Sequence, residues 1–376
     1  MRIAAISNSR IPSATANSIQ AMKVCDALVQ AGHEVRLIVP AETEPASWND
    51  LARHYGITHE FRLVWLSSKR ALRRIDFLWY ARAAARRTGA QLIYTWLPQS
   101  AAVEAWENRP VVLEMHADVA GPLGAWWLRQ FWRSRRGRLL VTTTALRRAL
   151  ERSTQMPFPD DAVQVAPNGV DLQRYEDLPA PAAARARLQL PEAFTIGFTG
   201  HFYAGRGIEL LFELARGLPD VQFLWVGGTS EAVAEWREKL LRANQTNVTL
   251  TGFVENSGLA IYQAASDVLL MPYTTSVAAS SGQDIAEVIN PMKMFEYMAA
   301  RRPIITSSLP VIREVLDETR AVFCPPGEVS AWKAAILELA SDPARRAALA
   351  DNARREVEKY TWLGRVQRAL EHLDLP

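Results

Sequence analysis

At 376 residues the chain exceeds what one ordinary hydrophobic core holds, so two domains are expected. Hydrophobic content of 49% against 22% charged fits a soluble globular protein, and no run of 18 apolar residues is present to form a membrane-crossing helix. With 43 basic and 40 acidic residues the net charge is +3, too balanced for a protein whose main partner is nucleic acid.

The first half reads as an α/β repeat. Residues 2–7 form a short apolar strand, a loop runs through Asn17, and a helix begins near Ser18 and ends at Gly32. Residues 33–40 are the next strand, which completes a β-α-β unit and predicts a parallel sheet. No glycine occurs between Met1 and Ala31, which argues against the glycine fingerprint of an NAD-dependent enzyme. Further strands are predicted at 62–66, 91–96, 111–115, 139–143 and 162–166. His116 falls just past one of them, where open α/β sheets bind ligands, although a lone histidine there more often serves structure.

Two stretches of this half are basic. Residues 67–90 carry seven basic side chains against one acid, Asp76, and residues 119–150 carry seven arginines and no acid. Phe77, Trp79 and Tyr80 interleave with the first set, and Trp126, Trp127, Phe131 and Trp132 with the second. Such interleaving suits an anionic membrane surface; the plainer alternative is a solvated basic helix whose rings pack inward.

Pro167-Asn168-Gly169-Val170-Asp171 is a turn, and the Pro- and Ala-rich stretch after it reads as a linker. Domains are therefore expected at 1–166 and 191–355, joined by 167–190, with 356–376 a closing helix that can return to the first domain. The second half restarts the pattern at 195–199. Gly200-His201-Phe202-Tyr203-Ala204-Gly205-Arg206-Gly207 follows, a loop whose backbone can approach a phosphate, with Arg206 as the cation. A strand at 221–226 ends in Gly227-Gly228, strands at 248–253 and 268–271 flank a helix at 258–265, and 274–283 is a small-residue loop. Asn290-Pro291-Met292-Lys293-Met294-Phe295-Glu296-Tyr297 then predicts a helix capped by Asn290, with Met292, Phe295, Met298 and Ala299 as its apolar stripe. Its start suits a phosphate and Glu296 suits sugar hydroxyls, while Lys293 and Glu296 also fit a solvated face. A strand at 320–323 and a pair of helices to about 373 close the chain. Cys25 and Cys324 make no metal or redox spacing; two reduced, packed cysteines and the missing signal peptide fit a cytoplasmic protein.

With two β/α halves and these loops, the chain resembles the family 4 glycosyltransferases of GT-B fold, in which two Rossmann-like domains face each other across a cleft. The second half carries the specific matches: the Gly-x-x-x-x-Gly-Arg-Gly loop, Thr251-Gly252-Phe253-Val254, Ala265-Ser266-Asp267-Val268 and the stretch from Pro291 to Ala299. The Asn168-Gly169-Val170-Asp171 turn resembles the family's interdomain signature. Looser matches in the first half are Ala16 to Ser18, Gly32-His33-Glu34-Val35 and His116.

The resemblance implies retaining transfer of a sugar from a nucleotide donor to a hydroxyl, with no cofactor and no metal. Gly200, His201 and Arg206, with Asn290, Pro291, Met292 and Lys293, would hold the donor's diphosphate. Glu296 would bind the ribose, Phe253 and Val254 would meet the base, and Asn17 and Gly227 complete the donor set. His116, Arg206 and Glu287 are the catalytic candidates. Two positions depart from the family: His201 stands where arginine is common, and Val288 stands eight residues before Glu296 where a glutamate is common. Asp284, Glu287 and Asn290 are thus all candidates to touch the donor sugar. The expected acceptor is a glycan or lipid-linked glycan, reached from the inner face of the cytoplasmic membrane. A non-catalytic sugar-nucleotide-binding scaffold and a GT-B sugar-nucleotide epimerase are the competing functions.

Overall fold

Short Val-, Ile- and Leu-rich runs separated by helical segments leave parallel pairing as the way to bury both faces of a sheet. The computed structural model describes residues 1–41, 46–67, 75–133, 136–278, 282–371 and 373. It divides into two units, one of Met1–Asn168 with Trp362–Pro376 and one of Gly169–Thr361.

In the first unit the strands are β1 (Arg2–Ile6), β2 (Glu34–Pro40), β3 (Arg62–Leu66), β4 (Leu92–Thr95), β5 (Val111–Met115), β6 (Gly137–Val141) and β7 (Val163–Val165). Its helices are α1 (Ala16–Gln30), α2 (Trp48–Tyr55), α3 (Ile75–Arg87), α4 (Pro98–Trp106), α5 (Gly121–Phe131) and α6 (Thr144–Thr154). The sheet is parallel, in the order β3-β2-β1-β4-β5-β6-β7.

The second unit holds β8 (Thr195–Thr199), β9 (Gln222–Val226), β10 (Val248–Gly252), β11 (Val268–Met271), β12 (Ile304–Ser307) and β13 (Ala321–Cys324). Around them lie α7 (Pro181–Leu188), α8 (Ile208–Gly217), α9 (Ser230–Arg242), α10 (Leu259–Ala264), α11 (Met292–Ala299), α12 (Val329–Ser341) and α13 (Pro343–Glu356). This sheet is also parallel, in the order β10-β9-β8-β11-β12-β13. Phe223, Trp225, Trp236 and Trp332 anchor its core, with the Trp225 and Trp236 rings edge to face at 5.7 Å. The last helix, α14 (Trp362–Leu370), belongs to the first unit.

Two expectations are corrected here. The Pro- and Ala-rich stretch read as linker forms α7, with Pro181 in its first turn. Arg185 of α7 is buried, and its guanidinium bonds Asp267 at 2.8 Å, Glu192 at 2.9 Å and the Ala265 carbonyl at 3.0 Å. That tie fixes α7 to the second unit, which begins at Gly169. The expected closing pair of helices is three, because Asp342 caps a new helix by accepting the Arg345 N–H at 2.9 Å and Pro343 cannot continue the old one.

Each sheet reverses its winding beside its first strand, between β1 and β4 and between β8 and β11. Open α/β sheets bind ligands at the carboxyl ends of strands at such a switch.

Candidate active site

At the β8–β11 switch the chain leaves β8 through Gly200, whose N–H donates to the Val226 carbonyl at 2.9 Å. A Cβ on Gly200 would come within 2.9 Å of Lys293 Nζ, and one on Gly227 within 2.2 Å of the Gly200 oxygen. With φ of +138° and +120°, both positions need glycine. The loop then clasps the one after β11: the Thr274 N–H bonds Gly205 O at 3.0 Å, and the Ala278 N–H bonds Ala204 O at 3.2 Å.

Two cations converge on one ring. Lys293 Nζ lies 3.9 Å from the Phe198 centroid and 5.7 Å from that of Tyr273. Arg206 sits over the same Tyr273 ring at 5.3 Å and donates to its hydroxyl at 3.3 Å. Burial pulls the Lys293 amine well below the ordinary lysine range, and the Arg206 charge adds to it. Lys293 is therefore not the solvated side chain that the plainer reading of its helix allowed.

Three residues along α11, Glu296 is partly open and accepts from the Gln263 amide at 3.1 Å. Gln263 itself is fully buried. Its Oε1 and the buried Tyr175 hydroxyl have no hydrogen-bond partner among the described residues. Burial and then the Glu296 charge push the Tyr175 phenol well above its usual range. Neither Gln263 nor Tyr175 was foreseen, since nothing local in Ile261-Tyr262-Gln263 or Arg174-Tyr175 points 33 or more positions along the chain. Tyr297 locks the helix to β8, its hydroxyl accepting from the Thr199 N–H at 2.8 Å.

Several expected residues stand differently. Asn290 is not the cap of α11: Pro291 is, at φ −76° and ψ 128°, and the residue before a proline is steered out of helical geometry. Met292 lies on the open side with Lys293 and Glu296, while Met294, Phe295, Tyr297, Met298 and Ala299 are buried, so the expected stripe is broader and rotated. Glu287 is exposed in a turn and Val288 is buried. Asp284 is committed to loop closure: its Oδ1 accepts from Val277 N–H at 2.9 Å and Ala286 N–H at 3.0 Å, and these donors hold its carboxyl below the usual range. His201 stacks on Tyr203 at 4.8 Å. Phe253, exposed, and Val254, half-buried, follow β10, whose Gly252 carbonyl accepts the Gly227 N–H at 2.8 Å. Asn17 lies in the first unit, exposed in the first turn of α1 rather than in a loop.

Also in the first unit, His116 follows β5 and its Nε2 is 2.6 Å from Oε1 of the fully buried Glu114. The basic stretches are more paired than their sequence suggests. Arg82 and Arg86 both bind Glu107, and Arg147 binds Asp160 at 2.7 Å and Glu151 at 3.3 Å. Among the described residues, the exposed Arg129, Arg133 and Arg148 have no ion-pair partner. Lys69, Arg70, Arg73, Arg74 and Arg135 lie outside the described residues. Trp106, Trp126 and Trp127 form one aromatic cluster with centroids 4.6 to 6.5 Å apart, Trp126 being 40% and Leu123 64% exposed. Trp132, expected with them, instead packs on Phe158 at 4.9 Å. Among the described residues no helix is long and apolar enough to cross a membrane, and no group of three or more His, Cys, Asp or Glu could hold a metal.

Comparison with known proteins agrees with this layout. Residues 18–174 match the model for "Glycosyltransferase Family 4" and residues 193–342 that for "Glycosyl transferases group 1". An alpha-D-kanosaminyltransferase of Streptomyces kanamyceticus is 23% identical over 81% of this chain and 80% of its own. A D-inositol 3-phosphate glycosyltransferase of Kineococcus radiotolerans is 28% identical over 62% of this chain and 56% of its own. Over three curated relatives the chain spans only 35%, 56% and 52% of their lengths. Among solved structures, Anabaena HepE in complex with UDP superposes with a TM-score of 0.75 over 99% of both chains at 17% identity, which shows a shared GT-B fold. Consecutive family models covering both Rossmann-like units, together with that fold, show that the chain belongs to the family 4 glycosyltransferases.

Proposed function

We propose that the protein is a retaining glycosyltransferase that moves a sugar from a UDP- or GDP-sugar to a hydroxyl of a glycan or lipid-linked acceptor, in cell-surface polysaccharide or glycolipid assembly. The observation that carries this reading is the pair Arg206 and Lys293 on the Tyr273 ring, with Glu296 one turn along α11 at the switch point of the second sheet. In the reading, the two cations hold the diphosphate and Glu296, aimed by Gln263, binds the ribose. Phe253 and Val254 flank the base. HepE, a structural relative, was solved with UDP and with UDP-glucose, which supports a nucleotide-sugar as the ligand class.

The chemistry asks little of side chains. As the glycosidic bond breaks, charge gathers on the leaving diphosphate, and fixed cations aimed at it stabilise that state more than the ground state. Arg206 and Lys293 supply this charge without a metal. In front-face attack the leaving phosphate takes the acceptor's proton, so no enzyme nucleophile is needed, and His116 orients the reacting hydroxyl. Glu287, exposed and one position off the family's carboxylate, and Asn290 remain the candidates for contact with the donor sugar.

The exposed Trp126 and Leu123 with the unpaired Arg129 and Arg133 support a peripheral anionic-membrane contact through the first unit, which suits a lipid-linked acceptor. Release of nucleoside diphosphate from a panel of UDP-, GDP- and ADP-sugars tests the whole reading. Release that depends on an added glycan acceptor supports it. Binding without release makes the protein a scaffold, and an acceptor-free change of the sugar's own stereochemistry makes it an epimerase.

A further inference from the structure

A carboxylate inside a protein is costly unless donors surround it. Glu114, near the carboxyl end of β5, is fully buried and meets five. Arg365 of α14 gives Nη2 to Oε1 at 2.6 Å and Nη1 to Oε2 at 3.0 Å. Gln20 bonds Oε1, Tyr94 bonds Oε2, and His116 Nε2 reaches Oε1 at 2.6 Å. Arg365 is held in turn by the Ala166 carbonyl at 3.1 Å and the Pro167 carbonyl at 2.9 Å. Burial alone would raise the Glu114 pKa, but the Arg365 charge and the His116 bond overcome it and hold the carboxyl far below its usual range. Paired through both oxygens with the Arg365 guanidinium, Glu114 is the ionised partner, and an ionised carboxylate only accepts hydrogen bonds. The proton between the two groups must sit on His116 Nε2, so in the neutral ring the lone pair lies on Nδ1. Unlike Glu114, the imidazole is 27% exposed, within reach of a ligand.

We infer that Glu114 and Arg365 are positioning residues that lock His116 as its Nε2-protonated tautomer, leaving Nδ1 as the atom that accepts a hydrogen bond from a substrate hydroxyl. The hydroxyl rests on the transferase reading; the tautomer does not. Without the lock, a neutral imidazole can turn its N–H toward the same hydroxyl, which then accepts from the ring instead of donating to it.

Long-range proton–nitrogen NMR of protein labelled with 15N-histidine reads the tautomer directly. The signal of His116 is the one lost in His116→Gln. Nε2 protonation in the neutral ring is expected, and Nδ1 protonation would overturn the inference whatever the protein's activity. In Glu114→Gln the Nδ1-protonated form should appear; an unchanged tautomer in folded protein would remove Glu114 from the role. Should that variant not fold, because Arg365 is left buried and unpaired, Glu114→Gln with Arg365→Met removes both charges and makes the same test. Sugar transfer should fall about 100-fold with the misplaced ring. If donor hydrolysis without acceptor falls too, the hydroxyl belongs to the donor sugar; if only transfer falls, it belongs to the acceptor. If neither falls while the tautomer changes, Nδ1 accepts no substrate hydroxyl and that half of the inference is lost.

Discussion

Gln263 holds Glu296 from beneath, its fully buried amide 3.1 Å from the Oε2 of a carboxylate that is itself partly open. One oxygen of Glu296 is thus committed and the other is presented.

The pair should act as one element of the donor site. Glu296→Ala is expected to weaken nucleotide-sugar binding by about 1–3 kcal/mol, the range for losing a charged hydrogen-bond partner. Gln263→Met should cost about 1 kcal/mol alone and nothing further once Glu296 is gone. Calorimetry on the two single variants and the double gives the coupling. Additive losses would show that Gln263 does not work through Glu296.

For Arg206→Ala, turnover should fall more than donor KM rises, because the guanidinium meets its full charge only as the diphosphate leaves. A change confined to KM would reduce Arg206 to ground-state binding. His201→Arg restores the residue common in the family and should hold or raise donor affinity; complete loss would mean that its stacking on Tyr203 has a different purpose.

Lys293 gives a pH signature. Its folded pKa lies below the unfolded value, so the unfolded chain binds more protons between the two and stability rises with pH across that window. A bound diphosphate works the other way and favours the ammonium. Binding should then take up protons, and donor affinity should fall as pH rises through the Lys293 pKa of the free protein. Calorimetry in two buffers of different ionisation enthalpy measures the uptake, which should vanish in Lys293→Met. Equal uptake in both proteins would place the proton elsewhere.

On membranes, flotation with liposomes containing anionic lipid should exceed flotation with neutral ones and decline with salt. Each of Arg129 and Arg133 is worth about 1 kcal/mol at most, so replacing both with glutamine should cut partitioning severalfold at low salt. Trp126→Ser should lower it independently of salt. Equal failure to float on both lipid types at low salt would leave a soluble acceptor as the better reading.

Most strands were legible as short apolar runs with turn residues at their ends: β3, β5 and β11 occupy the residues their composition predicts, while β12 (Ile304–Ser307) was not foreseen. The glycines that turn the 200–207 loop and the place of Glu296 on α11 were legible as a pattern. The short helix α2 was not. In α2 only Leu51 and Tyr55 are buried, and its signal lay in the caps, with Ser47 accepting the Asp50 N–H and Gly56 at φ 62°. Composition misled at α7, where proline opens a helix instead of a linker. Charge counts misled at Arg82 and Arg86, since Glu107, just past the end of α4, lies outside the stretch counted. The partners of Glu114 and Glu296 were invisible for a simpler reason: Arg365 and Gln263 stand 251 and 33 positions away.

That first separation has a consequence for how the chain is made. Residues through Asn168 leave the ribosome with β5 complete, yet the counter-charge for Glu114 is encoded beyond the whole of the second unit. At 5 to 20 residues per second, Glu114 waits about 13 to 50 s for Arg365. The second unit, continuous in sequence, can close first, and the unit begun earliest is the one finished last.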